Sequence, residues 1–214
     1  MTIVKEPALR ADALRNRRRI LDAAAEAFAE GGLDVGVAEI ARRAGVGAGT
    51  IFRRFATKED LVAAIVEERF GQMVAMAEEG CAQADPAEAF RRFLLAGIEM
   101  QVRDRGFFDA VGSRFGTDPR LREVKAQLME VCDRLLRAAQ EAGAIRDDIG
   151  ATDVPVVMCA AAGVPAPLLA VEPDIWRRYA GVILDGLKPE CASDLGHEPP
   201  DVAKIDAASA LPRA

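Results

Sequence analysis

The stretch VAEIARRAGVGAGTIFRRF, from Val37 to Phe55, constrains this chain more than any other: it reads as two short helices joined by a Gly-Val-Gly turn. Val37, Ile40, Ala41 and Ala44 recur at helical spacing and are expected to face a core. Gly45 supplies the left-handed residue that ends the first helix, and Val46 fills the gap between the two. The second helix, from about Ala48, is expected to bury Ile51 and Phe55 and to turn Thr50, Phe52, Arg53 and Arg54 outward. A helix-turn-helix of this kind lays its second helix in a major groove, with its first residues toward base edges and its arginines toward phosphates.

A net charge of −6 argues at first against a nucleic-acid partner. The distribution reverses that impression, because residues 1 to 58 carry +4 and the remainder −10. A basic head on an acidic body suits a protein that presents one end to DNA. Half of the residues are apolar, with one Trp and one Tyr, and the abundance of Ala, Leu, Arg and Glu points to an all-α protein.

The residues from about Leu9 to Phe70 resemble the DNA-binding domain of the TetR family of bacterial transcriptional regulators. That family is marked by a pattern like G-V-S-x-G-T-L-Y-x-H-F-x-x-K-x-x-L, and this chain has GVGAGTIFRRFATKEDL from Gly45 to Leu61, preceded by the helix RRRILDAAAEAFAEGG. Four positions depart from the pattern: Gly36 stands for a capping Thr, Gly47 for a capping Ser, Phe52 for Tyr and Arg54 for His. By this resemblance the DNA-binding residues are Arg43, Gly47, Ala48, Gly49, Thr50, Phe52, Arg53, Arg54 and Lys58. Ala48 and Gly49 allow close approach without a polar side chain, which shifts base reading to Thr50 and Arg53. Thr57 is an expected N-cap, and with Lys58 the start of the next helix forms a phosphate clamp. The arginines from Arg15 to Arg19 either cover a solvated helix face or reach the DNA backbone beside the recognition site.

The expected organisation is a three-helix helix-turn-helix domain over residues 1–58, a helical effector-binding and dimerisation domain over 59–188, and a disordered tail over 189–214, with about nine helices in all. The first helix is placed from about Leu9 to Glu30, with Leu14, Ile20, Leu21, Ala24, Ala25 and Phe28 inward. Later helices start at Lys58, at Asp85-Pro86 and at Asp118-Pro119, and two more span about 153–170 and 174–188. The uncharged run Val154 to Val171 is read as a buried interface helix and not a membrane span, because Pro155, Pro165 and Pro167 interrupt it and acids flank it. No secretory signal is read at the polar N-terminus, and a cytoplasmic location is expected.

Family resemblance implies a homodimer built on the last two helices, and Val157, Leu168, Trp176, Tyr179, Val182 and Ile183 are the expected interface. It also implies a small-molecule pocket in the body. Phe93, Gly97, Met100, Phe107, Phe108, Phe115, Met129 and Met158 cluster around helix breaks as its candidate lining. The expected function is therefore a dimeric regulator, a repressor released from a palindromic DNA operator by a hydrophobic or amphipathic ligand. The alternatives are a helix-turn-helix regulator that answers to a protein partner or to no effector, and a helical enzyme. Against the enzyme stand the absence of a nucleotide-binding glycine motif and of metal-ligand clusters, and a single histidine, His197, in the tail. No cofactor and no metal is expected. The four cysteines, at 81, 132, 159 and 191, show no paired spacing and read as reduced thiols, mostly in the core.

Overall fold

The computed structural model describes residues 5–111 and 118–209, which form eleven α-helices joined by short loops and 3-10 turns, with no strand among the described residues. The helices are α1 (Lys5–Gly31), α2 (Val37–Ala44), α3 (Ala48–Phe52), α4 (Lys58–Cys81), α5 (Pro86–Arg103), α6 (Arg105–Val111), α7 (Arg122–Glu141), α8 (Asp153–Ala162), α9 (Ala166–Val171), α10 (Trp176–Gly186) and α11 (Val202–Ser209). The chain divides into two compact units, one of Met1–Val66 with Asp104–Gly112, the other of Glu67–Arg103 with Ser113–Ala214.

The first unit is larger than the expected head. It takes the opening turns of α4 as well as α6, which returns from later in the chain to pack on α1. Gly106 makes this close approach feasible: a Cβ there would lie 2.9 Å from the Cβ of Ala29 and 3.1 Å from its carbonyl oxygen. Phe107 beside it is fully buried. The buried stripe of α1 begins at Ile20 and continues through Leu21, Ala24 and Phe28, while Leu14, expected inward, is 67% exposed. The period is right but the core reaches only the second half of the helix.

Backbone chemistry ends the helices where glycine allows it. At the end of α2, Gly45 adopts φ 62°, its N–H donates to the Arg42 carbonyl at 3.2 Å, and the Val46 N–H donates to Ala41 at 3.0 Å. This is the Schellman arrangement, which satisfies two carbonyls left over by the helix. Gly143, with φ 70°, closes α7 in the same way, through Gly143 N–H to Gln140 and Ala144 N–H to Ala139.

In the second unit, α5 packs along α7 and α8, and α10 packs on both α5 and α8. Phe90, Phe93, Leu94 and Ile98 of α5 meet Val131, Leu135 and Leu136 of α7, Val154 and Met158 of α8, and Trp176 and Ala180 of α10. The expected single helix over 153–170 is two, α8 and α9, separated at Gly163-Val164-Pro165. Proline disfavours the helical conformation for the residue before it, so Val164 breaks the run that its apolar composition suggested. The helix expected from Asp118 starts instead as a 3-10 turn, Pro119–Leu121, with the Asp118 carboxylate accepting from the Arg120 N–H at 2.9 Å. Cys132 is buried, and burial pushes its thiol up to about 12, whereas Cys81, Cys159 and Cys191 are exposed and not in the core.

The region read as a disordered tail contains a 3-10 turn at Pro189–Cys191 and helix α11. It is held from a distance. Arg146, buried between α7 and α8, pairs its guanidinium with Asp148 and donates to the carbonyls of Gly186 and Ser193, while its own N–H donates to the Leu187 carbonyl at 2.9 Å. Among the described residues, no helix is long and apolar enough to cross a membrane.

Candidate nucleic-acid interface

Each side chain of the recognition helix is placed by its phase. Ile51 and Phe55 are buried against the first unit, so Phe52, Arg53 and Arg54 are turned out to solvent, and Thr50 is partly exposed. The helix is short because it is anchored at both ends: the Thr50 N–H donates to the Gly47 carbonyl at 2.8 Å, and the Arg54 and Phe55 N–H groups both return to Ile51 at 2.9 Å. No atom lies within 4 Å of where a Cβ on Gly49 would stand, so the helix presents bare backbone at that point. Such a surface permits close approach of a base edge.

Four cations had been expected here and the structure treats them differently. Arg53 lies along its own helix, Nε donating to the Gly49 carbonyl at 3.2 Å and Nη2 to the Thr50 hydroxyl at 3.4 Å. Arg54 is exposed and donates to the Ala13 carbonyl of α1 at 3.4 Å. Lys58 donates its ammonium to the Leu33 carbonyl at 2.7 Å, tying the start of α4 to the turn after α1. Arg43 is engaged by two acids, Glu30 on α1 at 2.8 Å and Glu39 at 2.8 Å, which compensates its charge within the protein. Thr57 caps α4 as expected, and the cap is reciprocal: the Asp60 N–H donates to the Thr57 hydroxyl and the Thr57 N–H to the Asp60 carboxylate, both at 3.0 Å.

Glu39 was missed by the sequence reading. It accepts from Arg42 Nε at 2.8 Å, Arg42 Nη2 at 2.7 Å and Arg43 Nε at 2.8 Å. Its spacing of three and four residues from two arginines on one helix is the signal that would have found it. The hydrogen bonds from Arg42, then Arg43, hold its carboxyl at about 2, well below the ordinary 4.5. A depressed folded-state value stabilises the fold above the unfolded value and loses that contribution as pH falls from about 4.5 toward 2. Glu39→Gln should therefore flatten the acid limb of stability across that window, read as thermal midpoint against pH, and leave the neutral-to-alkaline limb unchanged in shape. On α1, Arg15 pairs with Asp12 and Arg19 donates to Asn16 at 3.1 Å; with Arg18, Asp22, Glu26 and Arg43 they line an open groove of about 400 Å³.

The expected ligand lining does not fall in one place. Phe93, Gly97, Met100, Met129 and Met158 belong to the second unit, with Phe93, Gly97 and Met158 buried. Phe107 and Phe108 belong to the first, where their rings meet edge-on at 5.4 Å, and Phe115 lies outside the described residues. Of the expected dimer residues, Tyr179 and Val182 are exposed, Leu168 is just exposed, and Val157 and Ile183 are half-buried against the core. Trp176 is buried in that core, under the Arg177 guanidinium at 4.4 Å, so it serves its own protomer.

The model described as "Bacterial regulatory proteins, tetR family" matches residues 20–65, and that described as "Transcriptional regulator SbtR-like, C-terminal domain" matches residues 85–189. The crystal structure of the TetR transcription regulatory protein from Mycobacterium vanbaalenii is 37% identical, covers 84% of this chain and 99% of its own, and superposes with a TM-score of 0.62. This chain belongs to the TetR family. The fatty acid metabolism regulator protein of Bacillus subtilis is 42% identical over 62 residues, which span 28% of this chain and only 32% of that protein. The transcriptional regulator FadR from Bacillus subtilis, solved in complex with stearoyl-CoA, shares the fold with a TM-score of 0.60 at 19% identity, over 82% of this chain and 99% of its own.

TetR-family proteins are DNA-binding transcription factors and not enzymes, and this chain is a regulator of that kind. Its head departs from the family at the two glycine caps in a way the structure makes readable. Gly36 (φ −74°, ψ 147°) and Gly47 (φ −74°, ψ 144°) have the extended backbone any N-cap residue adopts, with no atom within 4 Å of an added Cβ. Gly36→Thr and Gly47→Ser should each stabilise the protein by about 0.5–1 kcal/mol, by adding a side-chain acceptor for a helix N–H and by narrowing the unfolded ensemble. A thermal melt with an unchanged or lower midpoint would contradict this.

Proposed function

We propose that this TetR-family regulator acts as a homodimer on a palindromic duplex operator, as a repressor that a small amphipathic ligand releases. The observation that carries the DNA half is the outward row Thr50, Phe52, Arg53 and Arg54 beside the bare backbone of Gly49, on a helix whose other face is buried. Thr50 and Arg53 read base edges, because they are the polar side chains nearest the start of the helix. Arg54, Lys58 and the backbone N–H groups at the starts of α3 and α4 hold phosphates. Arg43 contributes less than its charge suggests, since Glu30 and Glu39 already occupy its guanidinium. A regulator of chromosomal DNA in a bacterium works in the cytoplasm.

The ligand is best sought among long-chain acyl thioesters. The support is the likeness to FadR of Bacillus subtilis, solved with stearoyl-CoA, together with an all-apolar core around α5 and α8 that contains two buried methionines, Met73 and Met158. One helix, α4, belongs to both units, carrying Lys58 in the first and Met73 in the second, and provides the route by which a ligand changes DNA affinity. Linkage requires the acyl ligand and the operator to weaken each other by the same factor.

Selection from a random duplex pool should return an inverted repeat, and the enriched site should be released by an acyl-CoA in a gel-shift titration. Enrichment of a single unrepeated half-site would overturn the dimeric reading of the operator. Phe52 is 57% exposed, so Phe52→Tyr restores a hydroxyl aimed at solvent where the family usually has one. It should strengthen binding by about 0.5–1.5 kcal/mol, alike for operator and unrelated DNA. Unchanged affinity would place residue 52 away from phosphate.

A further inference from the structure

Midway along α5, a glycine meets two methionines. Gly97 is buried, and a Cβ built on it would lie 2.5 Å from Sδ of Met158, 2.7 Å from Cε of Met158 and 3.2 Å from Cε of Met73. The thioether of Met158 thus fills the volume that any other residue at 97 would need for its own side chain. Met158 and Met73 are 6% and 5% exposed, and Phe93 lies one turn earlier on the same helix, also buried.

This arrangement is a poor choice for stability alone. Glycine inside a helix costs roughly 1 kcal/mol relative to alanine, and methionine, unbranched with three rotatable bonds, defines its own position less well than leucine or isoleucine. An alanine at 97 facing a shorter, stiffer residue at 158 would hold α5 and α8 together more rigidly. What the pair offers instead is a buried slot whose filling can leave.

We propose that Met158 is a displaceable plug, and that the notch at Gly97 is the binding site for an unbranched alkyl chain, which takes the place of the Met158 side chain between α5, α8 and Met73 of α4. The chemistry follows from what departs. The Met158 side chain is a four-atom unbranched chain, so a polymethylene segment has the cross-section and apolar surface to replace it contact for contact. A branched or aromatic group is wider than a methionine and meets the glycine backbone and the Met73 methyl on entry. The helix that carries the plug is lightly tethered: α8 has ten residues, its N-cap Thr152 makes no side-chain cap hydrogen bond, and it ends at the break before Pro165. Met73, on the other wall, sits on the helix that begins with Lys58. This inference rests on the acyl-ligand reading above and assigns it a site.

The test uses the full-length protein with hexadecanoyl-CoA as probe and free CoA as headgroup control, measured by calorimetry, with the methionine methyls followed by carbon-13 NMR. Hexadecanoyl-CoA should bind wild type and shift the Met158 and Met73 methyl signals, and free CoA should do neither. Met158→Ala should bind the chain about tenfold more tightly, because the plug no longer has to move. Gly97→Ala should weaken it by about tenfold through a methyl placed in the slot. Gly97→Ala/Met158→Ala, which refills the notch with two small groups and relieves the clash, keeps the blocked slot measurable if the single glycine variant fails to fold, and should bind more weakly than Met158→Ala. Wild-type binding that neither substitution changes overturns this site while leaving the acyl ligand standing. Binding to Met158→Ala alone shows a fixed core methionine and overturns the plug. No binding to either protein overturns both this site and the acyl ligand.

Discussion

Val182→Glu is expected to turn a dimer into a monomer and to abolish operator binding with it. Val182 is 65% exposed on α10, and Tyr179, three residues earlier on the same face, is 44% exposed. Val156 of α8 and Leu168 of α9 are the exposed apolar residues of the two preceding helices, at 49% and 36%. Gly181 and Gly186 of α10 have no atom within 4 Å of an added Cβ, so nothing in their own protomer explains a glycine there. A close helix from a second copy does. Twofold symmetry places two glutamates in the interface, and burying an unpaired carboxylate costs about 3 kcal/mol each, or roughly ten-thousandfold in the dimer constant. Sedimentation at micromolar concentration should report a folded monomer with unchanged helix content. A variant that stays dimeric would move the interface elsewhere and with it the two-headed operator. Trp176→Ala is the contrasting substitution: the residue is buried in its own core, so it should lower the melting temperature before it touches assembly.

Arg53→Ala should cost about 1–3 kcal/mol of operator affinity per half-site and erase the preference at one base pair of each. The guanidinium is steadied along α3 by the Gly49 carbonyl at 3.2 Å and the Thr50 hydroxyl at 3.4 Å, which leaves its remaining N–H groups facing outward as a fork. A fork of that kind matches the O6 and N7 acceptors of guanine. Titration against the operator and against a set with each base pair changed in turn should show the preference flattening at one position while the others persist. A uniform loss with every preference intact would make Arg53 a phosphate contact only.

The head was legible because its structure is local. The spacing of Ile40, Ala41, Ala44, Ile51 and Phe55, the left-handed Gly45 and the Thr57 cap depend on residues no more than a few positions apart, and each appears as read. Where the reading slipped, the deciding contact was distant. Leu14 has the right phase for a core that does not extend to it, and Phe107 looked like part of the body's ligand lining until α6 was seen to return to α1 over Gly106. The segment after Pro189 has no periodicity to announce it, since its anchor is the Arg146 guanidinium, 47 residues from Ser193. The break at Pro165 was in plain view and was outweighed by apolar composition.

By itself, the sequence determined that this is an all-helical protein with a basic helix-turn-helix at one end, and which residues of the recognition helix face outward, because helical phase, capping and charge are properties of neighbouring residues. Only the tertiary structure decided which cations remain available, with Arg43 held by Glu30 and Glu39 and Lys58 set against Leu33, and which apolar residues are core and which are surface, with Trp176 inside and Val182 outside. Periodicity marks the apolar face of a helix but not how much of that face its own chain covers, and charge marks an arginine but not the carboxylate that meets it.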